Sequence, residues 1–301
     1  MDGTAPVFPA LRQIECGGRV AVPHRGRTVR IGAWNLERCL YPDESARILA
    51  RAGVDVALLT EMDIGMLRSG QVHTIGRLAA SLGHRYAFGV EFVEGHPMPP
   101  PPGFSPNGHD NLEGFHGNAL TAAVPFADPV AIPLPAVYDW SAPQPAGLIR
   151  KEGQRMGIAA TFDVGGSRFV ACAVHLEYRT DGAGRARQVA ALLDGLEAYA
   201  GGLPILFGGD LNTPTEAGRD DDPAEPLFAL AQARGFDWTA CNAGRPTTRT
   251  SVWTQGHGTK QLDWFCARGL TVGAPAVIPA IGEDADILSD HELLVLTLTL
   301  G

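Results

Sequence analysis

Short apolar runs rich in Val, Ile and Leu recur along the chain and alternate with helix-like stretches. The strand-like runs are TVRIGAW from Thr28, VDVALLT from Val54, HRYAFGV from His84, GNALTAAV from Gly117, MGIAATFDV from Met156, RFVACAV from Arg168, LPILFGG from Leu203, LDWFCA from Leu262 and HELLVLTLTL from His291. Such alternation predicts an α/β protein. In GAGRARQVAALLDGLEAYA, residues 182–200, Val189, Leu192, Leu193, Leu196 and Ala200 share one face of a 3.6-residue repeat, so this stretch is expected to be a core-facing helix. PLFALAQA, residues 226–233, is expected to be another, preceded by a solvated loop at Asp220, Asp221 and Asp222. The stretch 94–117 carries five prolines within six positions and reads as a stiff surface insertion. No internal repeat is visible, and the last apolar run reaches the C-terminus. The organisation expected is an N-terminal extension, 1–27, and a single domain, 28–301.

Polar residues capable of binding metal or moving protons sit at the ends of these runs. Asn35 closes the first, Glu61 the second, His175 the sixth and Asp210 the seventh, with Asn212 just beyond; Asp263 opens the eighth, and Asp290 with His291 opens the last. Antiparallel neighbours bring the start of one strand beside the end of the next, so all these sites can share one rim of a mixed sheet. Loops held at such a rim are a usual place for chemistry. Taken one at a time, each residue has an ordinary explanation as a turn residue, a helix-start acid or a satisfied core histidine. Taken together, they are oxygen donors and imidazoles, which suit a hard cation and a proton relay. Gly208 and Gly209 are expected to let the backbone approach a ligand.

Composition narrows the choice. With 24 Lys and Arg against 33 Asp and Glu, the formal charge of -9 opposes dedicated binding of a polyphosphate backbone. Arg25, Arg27 and Arg30, and separately Arg179, Arg185 and Arg187, form local clusters that read as solvated charge. Five cysteines, an odd number without close pairing, argue against a disulfide framework and a zinc knuckle. The N-terminus lacks a signal-peptide pattern, and no apolar run is long enough to span a membrane, so a soluble cytoplasmic protein is expected. There is no G-x-S-x-G elbow, P-loop or H-E-x-x-H helix, and strand alternation turns Cys172 away from His175.

The ordered segments IGAWNLE, LLTEMD, HGNAL, AVHLE, GGDLNTPT, LDWFCARG and SDHELLVL resemble the endonuclease/exonuclease/phosphatase superfamily, which includes pancreatic-type deoxyribonuclease, apurinic endonucleases, neutral sphingomyelinases and inositol polyphosphate phosphatases. The resemblance implies a four-layered α/β sandwich, two mixed sheets face to face with helices outside. It also implies a phosphoesterase site that uses Mg2+ or Mn2+. On this resemblance Glu61 is the principal metal carboxylate, with Asn35 and Asp290 close by. Asp210 orients or deprotonates the attacking water, Asn212 holds that water or a phosphate oxygen, and His175 and His291, the latter paired with Asp263, contact the phosphate. HLEYRTDGAGRARQ resembles a bacterial branch of the family, which draws attention to Glu177, Arg179 and Gln188.

Two positions depart from the family pattern. Thr60 stands where relatives often have Gln before the metal-binding Glu, and relatives often continue the GNA segment with a Ser-Arg pair where this chain reads Asn118, Ala119, Leu120, Thr121, Ala122. The second change removes an expected cation and so counts against nucleic-acid or polyphosphate substrates. The leading expectation is hydrolysis of a small phosphodiester or phosphomonoester. The alternatives are a nuclease flanked by the Arg27 and Arg187 patches, a metal-assisted reaction on a nonphosphate substrate in a pocket reshaped by the Pro-rich loop and Trp140, or a noncatalytic binding module. No protein partner is evident.

Overall fold

The computed structural model describes residues 9–19, 26–106, 108–140, 151–254 and 260–301. In chain order the elements are β1 (Ile14–Gly18), β2 (Thr28–Arg38), α1 (Pro42–Arg51), β3 (Val56–Ile64), α2 (Thr74–Leu82), β4 (Arg85–Glu94), β5 (Phe115–Ala122), β6 (Phe126–Pro133), β7 (Lys151–Gly153), β8 (Met156–Val164) and β9 (Ser167–Val174). They continue with α3 (Gly182–Ala200), β10 (Ile205–Asp210), α4 (Leu227–Ala233), β11 (Asp263–Arg268), β12 (Thr271–Val272), β13 (Ala276–Ile278) and β14 (Leu293–Thr299). One sheet has the order β1-β4-β5-β3-β2-β14-β12, with β13 also on β14 and β7 also on β4; the second runs β11-β10-β9-β8-β6. Both are mixed, because β2 and β3 are parallel, as are β9 and β10, while the other pairings are antiparallel.

Strand alternation builds the layers. Val29, Ile31 and Ala33 of β2, Leu294, Leu296 and Leu298 of β14, Leu206 of β10 and Phe265 of β11 pack between the sheets. Intervening residues face outward: Trp34 and Leu59 pack with Leu49 of α1 and Leu78 of α2, whereas Val170, Cys172 and Phe207 pack with Leu192 of α3 and Phe228 of α4. The result is a four-layered α/β sandwich. Cys172 therefore lies under α3, and burial pushes its thiol far up, out of reach of nucleophilic chemistry. All five cysteines are free thiols. No helix among the described residues is long and apolar enough to cross a membrane.

Each of the nine apolar runs forms a strand, and both expected helices are present. β1 arises within the stretch read as an extension and pairs in register with β4, from Ile14 opposite Gly89 to Gly18 opposite Arg85. β6 was hidden because FADPVAIP contains two prolines; it sits at a sheet edge and bulges between Ala127 and Val130, around Pro129, where a missing N–H is tolerated. Arg25 lies outside the described residues. One of the clustered arginines is not solvated: Arg185 is buried against Glu225, whereas Arg179 is half-exposed, against the rings of Tyr138 and Tyr178.

Candidate active site

The site forms at one end of the sandwich because of how the sheets pair. Asn35 stands beside Thr60 in the parallel β2 and β3 pair, and Asp210 opposes Asp263 in the antiparallel β10 and β11 pair. β14 runs antiparallel to β2 with Leu294 opposite Ala33, so Asp290 and His291 arrive at the same end. All the chain ends named from sequence therefore meet on one rim.

Bulges aim the side chains. The β2 and β3 register shifts between Asn35 and Arg38, and the β3 and β5 register shifts between Leu59 and Met62. An extra residue in a ladder bends the strand and turns its side chain out of the pleat. Glu61, within the second shift, has φ 57°; Glu37, Arg38 and Cys39 follow one another at 45°, 72° and 52°; Asn212 has φ 51°. Non-glycine residues in the left-handed region persist only where their surroundings hold them, and such strain gathers at functional sites. A Cβ at Gly209, φ 142°, would lie 2.1 Å from the Val174 carbonyl oxygen, and one at Gly208 would meet the Phe265 ring at 2.5 Å. These glycines let β10 press against its neighbouring strands.

Asp210 is the hub. Its Oδ2 accepts from Asn35 Nδ2 at 3.0 Å and lies 3.3 Å from His175 Nε2 and 3.7 Å from His291 Nε2, while Oδ1 accepts from the Asn212 N–H at 2.8 Å. Burial acts to raise its pKa, but the charges of His291 and His175 outweigh this and hold it at about 2. His291 Nδ1 bonds Asp263 Oδ2 at 2.7 Å, and its Nε2 lies 3.8 Å from Asp290 Oδ1. Burial works against a charged ring, yet Asp263, Asp210 and Asp290 raise the His291 pKa well above the ordinary histidine value. Burial pushes the Asp263 carboxyl up, opposed by His291.

Asn35 bridges two acids. Its Nδ2 also donates to Glu61 Oε1 at 3.3 Å, and its Oδ1 accepts from the Glu37 N–H. Both ends of the amide are thus engaged in holding Glu61 and the end of β2, so Asn35 acts as a brace in this geometry. Asn212 is similarly tied, with Nδ2 donating to the Leu176 carbonyl at 3.0 Å. Asp290 Oδ2 accepts from Thr254 Oγ1 at 2.7 Å, and its N–H donates to Glu37 Oε2.

Several residues that the sequence reading passed over share the cavity. Glu37 is buried with Ser251 and Thr254 hydroxyls on Oε1; burial and the charge of Asp290 push it up to about 7. Its one signal in the sequence is its place two residues after Asn35. His116, from the Pro-rich stretch, pairs with Asp63 at 2.7 Å and stacks on Phe92. Arg68 Nε and Nη2 donate to Asp63 and its Nη1 to both oxygens of Glu94, all buried. Arg155 bonds Glu91 at 3.0 Å and lies 3.6 Å from Glu177, whose Oε2 also accepts from Trp140 Nε1. Glu91 in turn lies 4.0 Å from His175 Nδ1. Gln188 braces the Glu177 N–H and the Pro135 carbonyl. Removing one partner from a buried ion cluster leaves uncompensated charge. Arg68→Met is therefore expected to cost about 3–5 kcal/mol of stability, read as a fall in the denaturation midpoint; a change within the range of a surface substitution would contradict it.

A cavity of about 400 Å3 is lined by Glu37, Glu61, His175, Asp210, Asp290 and His291 together with Phe92, Met98, Trp140, Lys151 and Arg155. Ala122, at the end of the segment that departs from the family pattern, pairs with Val56 at the end of β3 away from Glu61 and packs in the core between the sheets.

Comparison with solved structures agrees with the fold. An endonuclease/exonuclease/phosphatase from Beutenbergia cavernae superposes with a TM-score of 0.64 at 22% identity, over 91% of this chain and 72% of that one. The chain has the endonuclease/exonuclease/phosphatase fold. The same fold relates it to the catalytic domain of human Nocturnin, solved with a bound sulfate anion (TM-score 0.59, 17% identity, 99% of this chain and 100% of that one). It also relates it to truncated TDP2 from Caenorhabditis elegans (0.58, 17%, 90% and 97%). No family model and no curated protein matches the sequence. Within this fold, the ends of β2, β3, β9, β10, β11 and β14 supply the acids and imidazoles described above.

Proposed function

We propose that the protein is a divalent-metal-dependent phosphoesterase that hydrolyses a small phosphodiester or phosphomonoester. The observation that carries this reading is the Asp210 hub, ringed by Asn35, His175 and His291, with Glu61 one hydrogen bond away through Asn35. The cavity of about 400 Å3 suits a small substrate.

A metal fits the donors present. Glu61, Glu37 and Asp290 are all oxygen donors, and the upward shift of Glu37 to about 7 reflects burial and acidic crowding that a hard cation would relieve. Asp210, Asp263 and His291 form the tightest metal-capable cluster among the described residues. However, Asp263 and His291 are already spent on each other through the bond at 2.7 Å, so Glu61, with Asp290 and Glu37, is the better candidate for holding Mg2+ or Mn2+. Such an ion, when bound, polarises a phosphoryl oxygen and lowers the pKa of nearby water. The chain's own groups then divide the remaining work. Asp210, kept ionised by two histidines, orients water and accepts its proton. His291, charged between acids and held by Asp263, donates to phosphoryl oxygen, with His175 beside it.

Of the two arginine clusters that a nuclease would draw on, Arg27 precedes β2 at the end opposite Asn35, whereas Arg179 of the other lines the cavity. Ala122, in the segment that departs from the family pattern, lies at the far end of β5. A panel of phosphomonoesters, phosphodiesters, phospholipids and nucleic acids, assayed with magnesium and manganese, tests the proposal. Turnover of small phosphate esters is expected; turnover of none with either metal would sink it.

A further inference from the structure

One exposed ring of the active-site cavity has no part in the phosphoryl chemistry. Among the described residues four large hydrophobic side chains are exposed, Leu112, Tyr178, Val252 and Ile281, and of these Tyr178, 55% exposed, is the one that lines the cavity. A single apolar residue on an open surface is ordinary. Tyr178 differs in that its neighbours hold it. The Arg179 guanidinium carbon lies 5.1 Å from the centroid of the Tyr178 ring and 5.1 Å from that of Tyr138, and Arg179 Nη1 donates to the Tyr138 hydroxyl at 3.2 Å. Rings engaged by a guanidinium in this way are ordered before a ligand arrives, which lowers the cost of binding one.

One carboxylate joins this group to further rings. Glu177 Oε1 accepts from the Arg179 N–H at 2.9 Å, and its Oε2 accepts from Trp140 Nε1 at 2.7 Å. Trp140 meets Phe92 edge to face at 5.3 Å, and both line the cavity, as does Met98. The same carboxylate ties the rings to the reacting centre: Arg155 Nε lies 3.6 Å from Glu177 Oε2, and Arg155 Nη1 donates to Glu91, whose Oε2 lies 4.0 Å from His175 Nδ1. Apart from Phe92, Met98, Trp140, Tyr178 and Leu262, the lining is polar or charged. An organic group attached to the reacting phosphate therefore finds its apolar contacts among these rings.

We infer that Tyr178 is a stacking subsite for a planar aromatic ring, nucleobase or simple aryl, carried by the substrate. This rests on the phosphoesterase reading and narrows its substrate class to small phosphate esters that bear such a ring. An aromatic side chain with an open face stacks on any planar π system, whereas a saturated group of the same size gains only the burial of its surface. The ring of Tyr178 makes the contact and its hydroxyl does not. Tyr178→Phe therefore keeps the subsite, and Tyr178→Ser removes it.

The test uses phosphonates, whose P–C bond ester hydrolysis does not cleave. Benzylphosphonate and cyclohexylmethylphosphonate carry the same charged group and rings of similar size, one planar and one saturated; 9-(2-phosphonoethyl)adenine presents a nucleobase. Dissociation constants are measured by calorimetry in saturating magnesium for wild type, Tyr178→Ser and Tyr178→Phe. In wild type at least one of the two planar phosphonates is expected to bind on the order of tenfold more tightly than the saturated one, the scale of one ring stacked on one aromatic side chain. Tyr178→Ser is expected to lose that advantage and Tyr178→Phe to retain it. Tighter binding of the adenine compound than of benzylphosphonate assigns the subsite to a nucleobase, and the reverse order assigns it to a simple aryl group. Because Tyr178 is exposed, Tyr178→Ser is expected to keep the wild-type denaturation midpoint, so a loss of binding is not a loss of fold. Equal binding of planar and saturated phosphonates, an advantage that survives Tyr178→Ser, or binding of none of the three overturns the subsite. Turnover in the ester panel reports separately on the phosphoesterase reading, so the two fail distinguishably.

Discussion

Asp210→Asn is expected to lower kcat by about 10³- to 10⁴-fold while changing KM little. The substitution keeps the side chain's shape but replaces an acceptor-only group, which serves Asn35 Nδ2, the Asn212 N–H and His175, with one that accepts at a single oxygen. It also removes the negative charge that the two histidines surround. Water would then lose its proton acceptor, and the loss would appear in the chemical step because the group matters most when charge moves. Steady-state kinetics on any substrate found by the panel checks this. A variant that keeps a tenth or more of wild-type kcat would show that the proton goes elsewhere.

Glu61→Gln is expected to weaken metal binding and to reduce activity at low metal by about 10²- to 10⁴-fold, with partial recovery as Mn2+ is raised. Burial acts to raise the Glu61 pKa, but Arg38, His116, His175 and His291 outweigh it and hold the carboxyl well below the usual range. Glu61 is therefore an anion placed among cations and kept at its bulge by Asn35. The neutral amide preserves size and loses that charge. Calorimetric titration with Mn2+, run beside the activity assay, separates a metal effect from a folding effect. Unchanged metal affinity together with full activity would remove Glu61 from the site.

The rim was legible because alternation and run ends are local signals. Asn35, Glu61, His175, Asp210, Asp263, Asp290 and His291 each stand where an apolar run starts or stops, and strand pairing then leaves few ways to arrange them. What pairing does with each residue was not legible. Nothing in the order of Asn35, Leu36 and Glu37 shows that the Asn35 amide faces two carboxylates or that Glu37 turns back to meet Asp290, since both depend on a register shift and on positive φ. The cations were read poorly for the same reason. Arg68 follows β3, whereas Lys151 and Arg155 come from the β7 segment, and they meet only after β4, β5 and β7 pair. Short edge strands such as β1, β12 and β13 carry too few residues to show a period.

Metal dependence offers the most direct test of the central claim. Protein stripped with a chelator and assayed on an activated aryl phosphodiester such as bis(p-nitrophenyl) phosphate should show no turnover above background, and adding Mg2+ or Mn2+ alone should restore it in a saturable way. Equal turnover in stripped and metal-loaded protein would contradict the account.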